Sequence, residues 1–201
     1  MISKQSIIVT IFLLGLLSYF YLDKSIAYFF YENITGDLKE YIKLFSKSGE
    51  AIYPIIILVF IFLISYKRYR FYEKLSLFLL SSIALSGIIT DIIKFVVARY
   101  RPPMLFDKNL YGFKGFDIGF LVNSFPSGHS ATAFSVGVGL MLIFPKYKYL
   151  FLLFAFLVAF SRILLSVHFL SDVLIGSLIG GLTSIYLYNK FIEKGYFERK
   201  L

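Results

Sequence analysis

The 201-residue chain has no cysteine, no tryptophan and only two histidines. Without cysteine there can be no disulfide, thiolate zinc site or thiol nucleophile, so compartment has to be read from topology. Two histidines are few for a metal centre unless carboxylates complete the ligand set. Charge is scarce as well. Charged residues make up 16% of the chain and hydrophobic ones 58%, against about 25% and about 45–50% in ordinary soluble domains. A soluble globule of this size cannot hide that much apolar surface, whereas a membrane protein can. Acids are the scarcer charge, 12 against 21 Lys and Arg, for a net charge of +9. Nucleic-acid binding would need a basic face on a soluble fold. Here the cations sit in short segments between apolar runs, which suits anionic headgroups instead. The expected partners are the bilayer and a membrane lipid, with no nucleic acid and no obligate protein partner.

What the chain has in quantity is apolar length. Runs at about 7–22, 51–66, 75–97, 130–144, 150–165 and 173–188 approach the roughly 17–25 residues that a spanning helix requires. The reading is a single all-α domain over 1–201, a six-helix transmembrane bundle with short amphipathic interfacial helices. Lys4 before the first run resembles a signal peptide, but the residues that follow offer no small-residue cleavage site, so a retained anchor is expected. The N-terminal tip, the loops 66–74 and 145–149 and the C-terminal tail hold eleven Lys and Arg against three acids, Glu73, Glu193 and Glu198. That asymmetry predicts both termini in the cytoplasm of an integral membrane protein, with residues 23–50 and 99–125 facing outward.

Residues 23–50 place Ile26, Phe29, Phe30, Ile34, Leu38, Tyr41, Ile42 and Phe45 at helix-like spacings among charges. This suits helices lying in the interface plane, the alternative being a solvated loop. Asn33-Ile-Thr35 fits a glycosylation acceptor, a tripeptide that also recurs by chance. Gly176 and Gly180 form a GxxxG pair in the last run, best explained by close helix packing.

Ionisable groups inside or beside a membrane are costly, so their positions carry information. Asp91, Lys94, Arg99 and Arg101 end the third run, His129 opens the fourth, and Arg162, His168 and Asp172 bracket the junction of the fifth and sixth. Alternating spans bring all three groups to the outward side. Lys94 and Arg101, seven apart, would share a helix face before Pro102 and Pro103 end the helix. Such a pair can clamp an anion, or Lys94 can simply pair with Asp91. Pro126-Ser127-Gly128-His129 can present free amides to an anion at a helix N-terminus, or serve only as a cap. His168 and Asp172, four apart, would share a helix face on which the carboxylate orients the imidazole; a structural or metal-binding pair is the alternative. The surrounding cations would repel a metal ion.

Taken together, Lys94-x6-Arg101-Pro102, Pro126-Ser127-Gly128-His129 and Ser161-Arg162-x5-His168-x3-Asp172 resemble the three-part signature of the type-2 phosphatidic acid phosphatase family. The resemblance implies a lipid phosphatase that works without metal or other cofactor. His168 would be the nucleophile that forms a phosphohistidine, Asp172 its orienting partner and His129 the general acid. Lys94, Arg101, Arg162, Ser127 and Gly128 would bind phosphate and stabilise its transition-state charge. The compact chain looks like a bacterial inner-membrane member with a periplasmic site. Its substrate would then be lipid A 1-phosphate, undecaprenyl diphosphate, phosphatidylglycerol phosphate or phosphatidic acid. Phosphoryl transfer to another lipid and non-catalytic anion transport are the rival expectations.

Overall fold

A computed structural model describes residues 4–198, and these are mostly helical. The only β pairing among the described residues is an isolated bridge between Arg99 and Phe113. Of the cations counted for orientation, Arg199 and Lys200 lie outside the described residues.

The first element corrects the expectation that helix 7–22 gives way to an interfacial segment. Helix α1 (Lys4–Leu17) runs through a π-helical turn (Ser18–Leu22) into α2 (Asp23–Asn33) without a break. The wider turn brings positions five apart onto one face, so the Ser18 hydroxyl donates to Asp23 Oδ1 at 2.6 Å. Asp23 does not end the helix in water, because it is buried and paired. The second half of the segment is helical, as its apolar spacing predicts. Helix α3 (Gly36–Ser46) starts at Gly36 in the left-handed region, φ 57°, and leaves Leu38, Tyr41 and Leu44 exposed. It meets α4 (Ile52–Ser65) at a bend of 41°.

The rest of the chain comprises α5 (Arg70–Val97), the short α6 (Pro102–Lys108), α7 (Gly128–Ile143), α8 (Lys148–Leu164) and α9 (Leu170–Glu193). Among the described residues, four helices are long and apolar enough to cross a membrane: Gln5–Asn33, Arg70–Val97, Pro145–Leu164 and Leu170–Glu193. The bent pair of α3 and α4 makes a fifth if it counts as one span, and α7 is a shorter apolar helix. Outward faces carry Ile56, Phe60 and Leu63 on α4 and Leu150, Leu153 and Leu157 on α8, all exposed. Water would penalise such surfaces and lipid does not, so the chain is an integral membrane protein.

Small residues fix the position of α7 in the bundle. A methyl on Gly176 would lie 2.4 Å from the Ser127 carbonyl oxygen, and one on Gly180 would lie 2.2 Å from that of Ala131. The GxxxG pair thus lets the backbones of α9 and α7 approach closely, as expected. Ser184 reinforces the contact by donating to the Ser135 carbonyl at 2.7 Å. At the far end of these helices Phe78, Ile143, Tyr188 and Phe197 form an apolar core, with Phe197 stacked on Tyr188 and Phe191. The near end is left for polar groups.

Candidate active site

Lys94 and Arg101 do not share a helix face, contrary to expectation. Helix α5 stops at Val97, where Ala98 adopts a left-handed conformation, φ 43°, and its amide caps the Lys94 carbonyl. The chain then runs extended to Arg101, and Pro102 opens α6 instead of closing α5. Proline suits that first helical position, where no amide is needed, and it keeps the preceding residue extended.

Both cations still reach one end of the bundle. The Arg101 guanidinium donates to the carbonyls of Asn123 (3.2 Å) and Val167 (3.4 Å) and lies over the Phe120 ring at 4.1 Å. Arg162 donates to the Ser46 hydroxyl at 2.7 Å. The Nε atoms of Arg101 and Arg162 are buried without a partner. Lys94 makes only a loose 3.8 Å pair with exposed Asp91. Its ammonium also stands against the Pro-Ser-Gly-His turn, 3.2 Å from where a Gly128 methyl would sit.

Ser127 is the N-cap of α7, accepting from the Ser130 amide (3.4 Å) and hydroxyl (2.9 Å). The capping function is therefore real, and the Ser127 hydroxyl proton remains available to a ligand. Pro126 follows a cis peptide bond. The half-buried His129 begins α7 beside Gly49, whose Cβ position would lie 3.3 Å from the ring.

His168 and Asp172 also differ from expectation. His168 precedes α9, while Asp172 is the third residue inside it, and Nδ1 lies 3.6 Å from Oδ2, too long for a direct hydrogen bond. The carboxylate turns back to accept from the Phe169 amide (2.8 Å), Ser124 Oγ (2.6 Å) and Arg99 Nη1 (2.5 Å). The imidazole is held by the Ser124 carbonyl oxygen instead, 2.7 Å from Nδ1. A carbonyl can only accept, so Nδ1 carries the proton and Nε2 carries the lone pair. Asp172 thus reaches the imidazole through Ser124, which bonds to both.

Electrostatics favour a neutral ring. Burial, with Arg101 and Arg162 adding to it, lowers the His168 pKa to about 3 against the opposing pull of Asp172. Burial also lowers the pKa of Arg101. At Arg99 burial acts in the same direction, but Asp172 and Asp23 outweigh it and raise the pKa.

Ser124, Ser46 and Asn123 belong to none of the sequence motifs, and Arg99 carries no role in them. Arg99 had a signal in its membership of the cationic group. Asp23 had another, an acid in the middle of a helix otherwise fit to span. Among the described residues no three His, Asp or Glu gather as a metal ligand set. A cavity of about 520 Å3 opens beside Arg162 and Val167, lined further by Lys39, Lys43 and Phe106.

This arrangement has relatives. The chain is 31% identical over 108 residues to a lipid A 1-phosphatase of Rhizobium etli, covering 54% of this chain and 47% of that protein. It spans about half the length of the curated relatives it first matches. The fold is similar to the crystal structure of Aquifex aeolicus LpxE, with TM-score 0.66 and 24% identity over 84% of this chain and 95% of that one. It is similar too to the PAP2-type phosphatidylglycerolphosphate phosphatase of Bacillus subtilis, with TM-score 0.61 and 23% identity over 96% and 98% of the two chains. The PAP2 superfamily model matches residues 75–196, a stretch that includes all three motifs, and the chain belongs to that superfamily.

Proposed function

We propose that the protein is a bacterial lipid phosphatase that hydrolyses a phosphomonoester or terminal diphosphate of a membrane lipid through a phosphohistidine on His168. The observation that carries this reading is the 2.7 Å bond from Nδ1 to the Ser124 carbonyl, which directs a lone pair from Nε2 of a buried, neutral ring. The unpartnered Nε atoms of Arg101 and Arg162 support it as donors kept for an anion.

In the first step Nε2 attacks phosphorus and the bond from phosphorus to the lipid oxygen breaks. His129 protonates the departing oxygen. Lys94, Arg101 and Arg162, with the Ser127 hydroxyl and the Gly128 amide, stabilise charge on the equatorial oxygens. In the second step His129 takes a proton from water, whose oxygen attacks phosphorus as the P–N bond breaks and phosphate leaves.

The membrane arrangement belongs to the same proposal. The four long helices, the bent α3–α4 pair and α7 together make six spans. Both termini lie in the cytoplasm and the site faces the periplasm, a reading supported by the cations of loops 66–74 and 145–149. Lipid tails then stay in the bilayer while the phosphate enters the site. The named relatives favour lipid A 1-phosphate or phosphatidylglycerol phosphate, and undecaprenyl diphosphate completes the set of envelope lipids to be tried.

The test is a panel of purified lipid phosphates assayed in detergent, with wild type beside His168→Ala and alkali-quenched protein assayed for base-stable bound phosphate that acid then releases. Turnover and trapped phosphate in wild type alone support the reading. Labelled acceptor lipid in place of free phosphate would mean a phosphotransferase, and equal activity in His168→Ala would end the proposal.

A further inference from the structure

Two carboxylates share one guanidinium in a space closed to solvent. Arg99 meets Asp23 through Nη2 at 2.7 Å and Asp172 through Nη1 at 2.5 Å, and all three side chains are fully buried. Ser171 joins them, its hydroxyl accepting from Arg99 Nη1 at 2.6 Å and donating to Asp23 Oδ2, and its amide donating to Asp23 Oδ1 at 3.0 Å. Ser18 and Tyr111 complete the shell of Asp23 at 2.6 and 3.3 Å. Asp23 lies outside the stretch matched by the family model.

A buried ionised carboxylate persists only with charge and hydrogen bonds around it, and removing one partner of such a group leaves the others uncompensated. What Arg99 touches gives this coupling its direction. Its side chain holds Asp172, while its carbonyl oxygen accepts from the Ser124 amide at 3.0 Å. Ser124 in turn donates to Asp172 and accepts from the His168 ring. A shift of Arg99 therefore reaches the imidazole by two routes.

We infer that Asp23 is a positioning residue for the phosphoryl-transfer site: acting through Arg99, it sets the placement of Asp172 and Ser124 that aims His168. This rests on the reading of His168 as nucleophile. Without the Asp23 charge, Arg99 has Asp172 as its one carboxylate and is drawn towards it. Phosphate ligands are untouched, so the defect falls on turnover and not on binding.

The experiment uses the full chain in detergent with a lipid phosphate that wild type hydrolyses. Asp23→Asn should lower kcat by about 10- to 100-fold, the range typical of partners that orient a functional ligand, with KM little changed. Asp23→Glu should recover part of that loss. Residues acting as one unit are non-additive, so Asp23→Asn should cost nothing further in an Asp172→Asn background. A lowered melting temperature with unchanged kcat, or losses that multiply in the double variant, would overturn the inference. If Asp23→Asn does not accumulate as folded protein, Tyr111→Phe removes a single oxygen from the same shell. It must then show the kcat-specific, non-additive loss, and additivity again counts against the idea. Failure of wild type on every lipid phosphate would instead defeat the proposed function.

Discussion

The amide of Ser127 donates to the carbonyl oxygen of Asp172 at 3.0 Å. That bond joins the turn that starts α7 to the first turn of α9, and with them the segments carrying His129 and His168. The approach is possible because Gly176, one helical turn further on, lets the Ser127 backbone lie against α9.

Replacing Gly176 with alanine should therefore damage both stability and turnover. The methyl would meet backbone, which cannot swing aside as a side chain can. Overpacking of this kind costs about 1–3 kcal/mol or more. Gly181→Ala is the control, its nearest neighbour being 3.7 Å away. Thermal unfolding in detergent should show a lower midpoint for the first variant and none for the second; equal behaviour would mean that α7 and α9 are not packed this way.

Ser124→Ala should retain partial activity. Asp172 Oδ2 loses its 2.6 Å donor, and a buried acceptor left unsatisfied costs about 1–3 kcal/mol. The backbone carbonyl that holds His168 Nδ1 remains. Turnover should thus fall well short of the complete loss expected for His168→Ala. Steady-state rates of the two variants side by side decide this, and an inactive Ser124→Ala would give the hydroxyl a larger role than geometry assigns it.

Stability should depend on pH through His168. Its pKa is 6.5 when unperturbed and about 3 when folded, so between those values the unfolded chain binds a proton that the native chain refuses. Stability from the neutral ring is complete above pH 6.5 and lost as the pH falls towards 3. Melting curves of wild type should show this slope, and His168→Asn should flatten it. Parallel curves would contradict the burial of a neutral imidazole.

Vanadate should inhibit, because it adopts the five-coordinate geometry of phosphoryl transfer, and Arg162→Ala should weaken that inhibition at least tenfold, as loss of a charge-assisted contact implies. EDTA should leave turnover unchanged, since Lys94, Arg101 and Arg162 carry the positive charge. A strong loss with chelator would point to a metal-dependent step.

The sequence alone determined the class of protein and which residues make up the candidate site. Apolar runs of spanning length need a bilayer whatever the packing, and eight motif positions in fixed order need no coordinates to be recognised. Helical periodicity also identified Gly176 and Gly180 as packing residues. Only the tertiary structure decided how the site is held. Spacing suggested that His168 leans on Asp172 and that Lys94 and Arg101 share a face. A left-handed Ala98, a helix beginning at Leu170 and a carboxylate turned back to cap it altered both pairings. Periodicity presumes an unbroken helix and cannot see where one stops. Nor could it see that Asp23 and Asp172, far apart in sequence, meet across Arg99. That meeting depends on the first helix passing through its π turn and docking against α9, and on the need of a buried charge for partners from wherever the fold can bring them.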